Sequence, residues 1–597
     1  MTDSRAQERV FAGIAVSPGI TIGPAYVHSR EAFVVEERVL DESLVDAEIV
    51  ALSEAISRSE RDLNKIIAIA REKLGEDSAA IFEAQRLMLF DDAVRGEVER
   101  CVRRDRFDAA YALHRIMGRH RQKLEASGND YFRDRAHDLQ DVEDRIIRHL
   151  RRGRLISAVD PAHIVVSENL TAADIILFSR RGILGCAMDY GGLTSHVSIM
   201  ARSLGVPAVV SLHGLAAEIQ TGDLLILDGI RGRVVVNPSE STLTTYRLRQ
   251  ERFLRLREEE KGLVPLPAET LDGYSIRLEA NLELKDEVSL IPEYGAQGIG
   301  LFRTEMLFLA EGRLSVSEED QFRIYRSVVS AVAPDPVTLR VLDLGGDKIL
   351  PVAHREHNPF LGWRGVRVLL DKPDLLMPQL RAILRASAFG NVRILIPMVT
   401  DVAEVRAVRS YVARAKDELR AEGHAFAEHV QLGVMVEVPS VALLADRFAS
   451  EADFFSIGTN DLTQYALAVD RGNDMVSRLF RDLHPAVLQL IRKTVEAARR
   501  RGIPVGVCGE LAANLRAVPI LVGLGIDSLS MSPVYLPSVK RVIRAMSKEE
   551  GQLLAREALE ADDADEVAAR LDRWLEEHRC GVSFFLDTKV ATRLGTS

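Results

Sequence analysis

The chain has 597 residues, of which 47% are hydrophobic and 28% charged, a balance that excludes intrinsic disorder at a length that exceeds a single core. Its formal net charge of −11 argues against nucleic acid as the main partner and favours a basic protein or a metal-neutralised anion. Four scattered cysteines, Cys101, Cys186, Cys508 and Cys580, show no C-x-x-C spacing, so neither a zinc site nor a disulfide framework is indicated and a cytoplasmic location is expected. No signal-peptide pattern opens the chain, and no run approaches the roughly 18 apolar residues of a membrane span.

Residues 10–28 alternate short β-rich runs with Gly and Pro and predict strands. From about residue 41 to 150 Gly and Pro are scarce, and Val45, Ile49, Leu52, Ile56, Leu63, Ile66 and Ala70 recur at helical spacing, as in an antiparallel bundle. The β-rich texture returns from 153. The expected organisation is therefore an α/β domain made of residues 1–35 and 153–236, interrupted by a helical insertion at 36–152 that reads as a docking module. Asn237-Pro238 then offers an N-cap and a first-turn proline for a charged linker helix within 237–268, ending at Gly262 and hinging at its ends.

Short apolar runs follow at 275–281, 298–303, 337–343, 392–398, 432–437, 453–459, 504–509 and 526–531, separated by amphipathic helical sequence. Eight strands alternating with helices predict a (β/α)8 TIM barrel over 269–580, so the fold class is α/β multidomain. Residues 581–597 form a tail without an assigned role.

Barrels of this kind react at the C-terminal ends of their strands, where this sequence places Arg303, Arg340 with Asp343, Glu437, Asn460, Asp461 and Cys508. With Arg364 and Arg471 nearby in the chain, the arginines would clamp phosphate and carboxylate oxygens. Glu437 and Asp461 are hard oxygen donors of the kind that hold Mg²⁺ together with a substrate phosphate. The implied ligand is a small, multiply negative phospho-acid. Taken singly, each has a plainer reading: a surface ion pair for an arginine, a buried paired carboxylate for Glu437, a small buried hydrophobe for Cys508. Upstream, "GGLTSHVSIMAR" at 191–202 sets His196 at a helix start, as packing residue, metal ligand or nucleophile.

The motifs "GGLTSHVSIMARSLGVPAVV", "GIGLFRTEMLF", "DLGGDK", "NPFLGWRG", "RAILRASAFG", "FFSIGTNDLTQYALAVDRGND" and "CGELA" resemble those of enzyme I of the bacterial phosphotransferase system, phosphoenolpyruvate–protein phosphotransferase, from about residue 10 to 580. The resemblance implies that His196 takes a phosphoryl group from phosphoenolpyruvate and passes it to a histidine of the phosphocarrier HPr. A neutral imidazole suits that role, since it is nucleophilic near neutral pH and the phosphoramidate can be passed on. Gly191 and Gly192 would let backbone approach phosphate, with Thr194 and Ser195 positioning ring and anion. The resemblance further gives Arg303, Arg340, Arg364 and Arg471 to substrate binding, Asn460 to the phosphate, Glu437 and Asp461 to Mg²⁺, and Cys508 to protonation of the enolate. It makes 36–152 the HPr-docking subdomain, including "AIFEAQRLML" at 80–89 and "YFRDRAHDLQDVEDR" at 131–145, and implies a homodimer through the barrel.

Two alternatives stand beside it. Phosphoenolpyruvate synthase and pyruvate phosphate dikinase share the motifs but need a nucleotide-binding domain, and no G-x-x-x-x-G-K-[ST] loop occurs here. The other is a regulatory relay or scaffold of the nitrogen-type branch, whose members often carry an N-terminal sensory domain.

Overall fold

The structure, a computed structural model, describes residues 8–28, 35, 37–74, 82–83, 85–86, 88–89, 92–125, 130–151, 160–192, 196–283, 285–310, 316–345, 358–470, 476 and 479–580. The chain forms two compact units, Met1–Arg255 and Leu256–Ser597.

The first unit begins with β1 (Arg9–Ala12), β2 (Ile14–Ser17) and β3 (Ile20–Val27). Helices Val45–Leu74, Asp92–Asp105, Ala109–Glu125 and Asp130–Leu150 follow. The chain then returns to β4 (Ile164–Ser167), β5 (Gly185–Met188), β6 (Ala208–Val210), β7 (Leu224–Asp228) and β8 (Arg233–Val236). The strands make one sheet in the order β1-β8-β7-β3-β4-β5-β6-β2, with β3 to β6 parallel and the outer strands antiparallel. As expected from the sequence, the insertion is helical, and its apolar stripe is buried: Leu52, Ile56, Leu63, Ile66 and Ala70 on the first helix share a core with Val165, Ile175, Met188 and Met200. Asp46 and Glu48 in the first turn of that helix complement its dipole. Of the two insertion segments singled out above, 80–89 lies partly outside the described residues, as do the side chains of 131–138.

The linker helix runs Glu240–Leu263, taking Gly262 into its last turn. Its N-terminal boundary differs from the expected one. Asn237 adopts a φ of +49° outside the helix, and Ser239 does the capping, its hydroxyl accepting from the Thr242 N–H at 3.3 Å. Leu243 and Tyr246 bury against Ile20, Ile226 and Val235 of the first unit. Within the second unit, Glu260 accepts from the Ser538 hydroxyl at 2.5 Å.

That second unit is the expected barrel: β9 (Arg277–Leu282), β10 (Ile299–Phe302), β11 (Val337–Arg340), β12 (Val392–Ile396), β13 (Gln431–Val436), β14 (Phe454–Ile457), β15 (Val505–Val507) and β16 (Ser528–Met531). All eight pair in parallel, and β16 closes on β9 with Ser528 opposite Arg277. Leu301, Leu395, Met435, Phe454 and Cys508 form a separate small core cluster, while the larger core lies between strands and helices. Burial on both faces explains why these strands read as continuous apolar runs.

Leu63→Ala, which removes a side chain with no exposure, is expected to destabilise the first unit by about 2–5 kcal/mol in chemical denaturation. Arg58→Ala, at an exposed i,i+4 pair with Glu54 on the same helix, should change it by less than about 0.5 kcal/mol. Equal effects would mean that the stripe is not what holds the bundle to the sheet.

Candidate active site

At the end of β11 the chain leaves Arg340 and passes through Asp343 to Gly345, whose φ is +109°. A Cβ at Gly345 would stand 2.2 Å from the Trp363 carbonyl oxygen, so only glycine lets the two backbone segments meet. The Gly365 N–H closes the contact on Leu344 O at 3.0 Å. That meeting sets Arg364 beside Asp343, with Nε donating to Oδ1 at 3.1 Å and Nη2 to Oδ2 at 3.0 Å, a bidentate pair. Arg364 Nη2 also donates to Asp461 Oδ2 at 2.9 Å, and Nη1 to the Tyr465 hydroxyl at 3.3 Å. From the other side, Arg340 Nη1 lies 3.2 Å from Asp343 Oδ2, and Nη2 donates to Glu305 Oε1 at 2.7 Å. All five charged groups joined by these ion pairs, Arg340, Arg364, Glu305, Asp343 and Asp461, are buried.

The network is braced from behind. Thr304 donates to the Arg340 carbonyl at 2.9 Å and accepts from Gln379 Nε2, while Gln379 Oε1 receives the Leu342 N–H at 2.9 Å. Gln379 Nε2 also donates to the Tyr325 hydroxyl, which donates to Gln321. Every side chain in this chain of bonds is buried. Both ends of the turn that carries Arg340 and Asp343 are therefore fixed by polar groups with no water to compete.

Burial pulls both guanidinium groups toward deprotonation, and the adjacent carboxylates, Glu305 and Asp343 for Arg340, Asp343 and Asp461 for Arg364, outweigh it and raise both pKa values. Glu437, at the end of β13, accepts the Met398 N–H at 2.6 Å. Burial first, then the Asp461 and Asp343 carboxylates, push its pKa up to about 8. Among the described residues the carboxyl groups of Glu305, Asp343, Glu437 and Asp461 thus crowd around two guanidinium groups, Arg340 and Arg364, and the crowding keeps a proton on Glu437 below about pH 8.

Of the residues singled out from the sequence, Arg340, Arg364, Asp343, Glu437 and Asp461 come together here. Arg303 stands at the end of β10 with a partly exposed guanidinium, paired to Glu283 at 2.5 Å. The Asn460 amide is engaged at both ends with Glu510, donating to its carboxylate and accepting its N–H, each at 2.9 Å, and so ties the helix of Asp461 to the loop after Cys508. Cys508 is buried, its thiol 3.7 Å from the Ile457 carbonyl, and burial pushes its pKa up to about 11. Arg471 lies outside the described residues.

His196 opens the helix His196–Ser203, on which Met200 and Ala201 are buried in the shared core. Thr194, Ser195 and the His196 side chain lie outside the described part of the structure. Sequence reasoning missed Glu305, Thr304, Gln379 and Tyr465. Glu305 sits inside the quoted "GIGLFRTEMLF", and Gln379 is a polar residue on an otherwise apolar helical stripe, the one local signal that could have flagged it.

Asp343→Ala, which removes the carboxylate that two buried cations share and leaves Arg340 with Glu305 and Arg364 with Asp461, is expected to cost the barrel about 1.5–3 kcal/mol. For Gly345→Ala the expected cost is about 1–3 kcal/mol, from forcing two backbones apart. Denaturant titration of each variant checks this, and a loss under about 1 kcal/mol for Asp343→Ala would show that the network does not hold the rim.

Three family profiles match the chain: PEP-utilising enzyme, N-terminal, over residues 12–135; PEP-utilising enzyme, mobile domain, over 159–232; and PEP-utilising enzyme, PEP-binding domain, over 257–548. The last contains the whole buried rim. A phosphoenolpyruvate-protein phosphotransferase of Geobacillus stearothermophilus is 39% identical over 95% of this chain and 98% of its own length. One of Haemophilus influenzae is 38% identical over 95% of this chain and 100% of its own. A solution structure of Enzyme I, 33% identical with a TM-score of 0.37, matches 41% of this chain and 99% of that one. Identity of 38–39% to the Geobacillus and Haemophilus proteins, over 95% of this chain and 98–100% of theirs, means that the protein belongs to the phosphoenolpyruvate-protein phosphotransferase family.

Proposed function

We propose that this protein moves the phosphoryl group of phosphoenolpyruvate onto its own His196 and from there onto a histidine of an HPr-type phosphocarrier, releasing pyruvate, as the first step of a sugar phosphotransferase system. The observation that carries the reading is the buried rim of Arg340, Arg364, Asp343, Glu437 and Asp461 at the C-terminal end of a closed parallel barrel, inside the stretch that matches the PEP-binding profile.

Arg340 and Arg364, already desolvated and held by carboxylates, meet the phosphate and carboxylate of the substrate, with Arg303 and Arg471 closing on it from the rim. Preoriented cations of this kind stabilise charge in transfer without reorganising. Cys508, kept protonated by burial, gives its proton to the methylene carbon of the enolate once the phosphoryl group has left, forming pyruvate. Asn460 contacts the phosphate when it exchanges its bond to Glu510 for the substrate. The neutral His196 imidazole supplies the lone pair for the new N–P bond.

The donor set also fits Mg²⁺. One or two carboxylates commonly hold this ion together with substrate oxygens and water. Glu437 and Asp461 would hold it, and a dication there would favour the ionised form of Glu437, which burial and the neighbouring carboxylates disfavour. When bound, the ion polarises and neutralises the phosphate oxygens.

The helical insertion docks the phosphocarrier, and the net charge of −11 steers a partner that is basic around its histidine. The chain acts as a cytoplasmic homodimer through the barrel, as the resemblance implies. No helix among the described residues is long and apolar enough to cross a membrane. The regulatory nitrogen-type alternative is not favoured, since the curated relatives at 38–39% identity carry the name phosphoenolpyruvate-protein phosphotransferase.

Labelled phosphoenolpyruvate with Mg²⁺ is expected to leave acid-labile label on the wild type and none on His196→Ala, and added HPr should remove it as pyruvate appears. Label that persists in His196→Ala would sink the assignment. Chelation of Mg²⁺ should cut the labelling rate by about a hundredfold or more, restored by the ion, if charge neutralisation is its role.

A further inference from the structure

Two consecutive carbonyls lead into the segment before His196, and a serine hydroxyl holds each. Ser198, buried on the His196–Ser203 helix, donates to Gly192 O at 2.6 Å. Ser211, the first residue after β6, donates to Gly191 O at 2.6 Å. It does so from a left-handed backbone, φ +57°, a conformation that disfavours any residue with a Cβ and that glycine would adopt freely. His213, two residues on, is left-handed too, at φ +48°.

This loop is anchored at both ends. Val210 pairs in β6, and beyond the loop the Asp189 carboxylate accepts the Leu215 N–H at 2.7 Å and the Ala216 N–H at 3.1 Å. Strained residues persist where the surroundings over-determine them, and they gather at functional sites. Gly191 is confined as well: its φ is +134°, and a Cβ there would stand 3.3 Å from Val210 Cβ. A serine at position 211 is worse for the backbone than glycine, and what it adds is the hydroxyl on Gly191 O. In a planar trans peptide, fixing that carbonyl also fixes the Gly192 N–H on the opposite edge. Ser198 fixes the carbonyl of the next residue.

We propose that Ser211 is a positioning residue for phosphoryl transfer: its hydroxyl, held out on a strained backbone, sets the Gly191–Gly192 peptide, and Ser198 ties the Gly192 carbonyl to the helix that His196 opens. The proposal rests on His196 being the phosphoryl acceptor. Small misplacements of a reacting group are costly in rate even when binding elsewhere is untouched.

Ser211→Gly removes hydroxyl and strain together, and Ser211→Ala removes the hydroxyl while keeping the left-handed backbone. For the full-length chain with Mg²⁺, three quantities are read: the labelling rate of His196 from phosphoenolpyruvate, KM for phosphoenolpyruvate, and Tm. Both variants are expected to label about five- to tenfold more slowly, the effect of one lost hydrogen bond, with KM unchanged and the Tm of Ser211→Gly at or above wild type. A wild-type rate in either variant overturns the proposal. So does a rate loss in Ser211→Gly that comes with a lowered Tm, which would mark a merely structural role. A wild type that takes no label at all refutes His196 as acceptor, and the proposal with it.

Discussion

Asp343 lies buried between Arg340 and Arg364, and neither cation could remain in a low-dielectric interior without such a partner. Much of the barrel rim follows from that requirement. Gly345 exists to let the Trp363–Arg364 backbone come close enough for the bidentate pair. Thr304 and Gln379 hold the β11 turn so that Asp343 stays in register with both arginines. Glu305 accepts from Arg340 Nη2, and Asp461 shares Arg364 Nη2 with Asp343. A buried ion pair of this sort contributes little net stability but fixes orientation, which is the property an anion-transferring site needs.

The same network sets the protonation of the rim. With Glu437 pushed up to about 8 by burial and by the Asp461 and Asp343 carboxylates, its ionised form is unfavourable as the rim stands. A phospho-acid alone would bring its full negative charge to that rim, whereas a dication arriving with it would offset two of those charges. Before His196 the described backbone is held in another way, by hydroxyls on carbonyls, Ser211 on Gly191 O and Ser198 on Gly192 O.

The eight strands were legible because a strand buried on both faces leaves a continuous apolar run, and each observed strand overlaps the run that foretold it, as Val392–Ile396 does within 392–398. The bundle stripe from Val45 to Ala70 was legible through its 3.6-residue period. Arg340, Glu437 and Cys508 could be picked out because they close strands or immediately follow them, and Asp461 because it lies in the first turn of the helix after β14. Asn237 was misread as a cap for a local reason: Ser239 stands two residues later and its hydroxyl reaches the Thr242 N–H, a competition that type and order alone do not decide. Gln379 and Tyr465 were missed because what they bond lies far away in sequence, Leu342 being 37 residues from Gln379 and Arg364 being 101 from Tyr465.

By itself the sequence determined the periods, hence the bundle and the barrel, and the chemical types presented at the strand ends. Only the tertiary structure decided which charge faces which: that Arg364 takes Asp343 and Asp461, that the Asn460 amide is engaged by Glu510, that Ser211 reaches Gly191. Periodicity is a property of neighbours along the chain, whereas the energy of a charge pair or a buried hydrogen bond depends on distance and dielectric, and packing alone sets both.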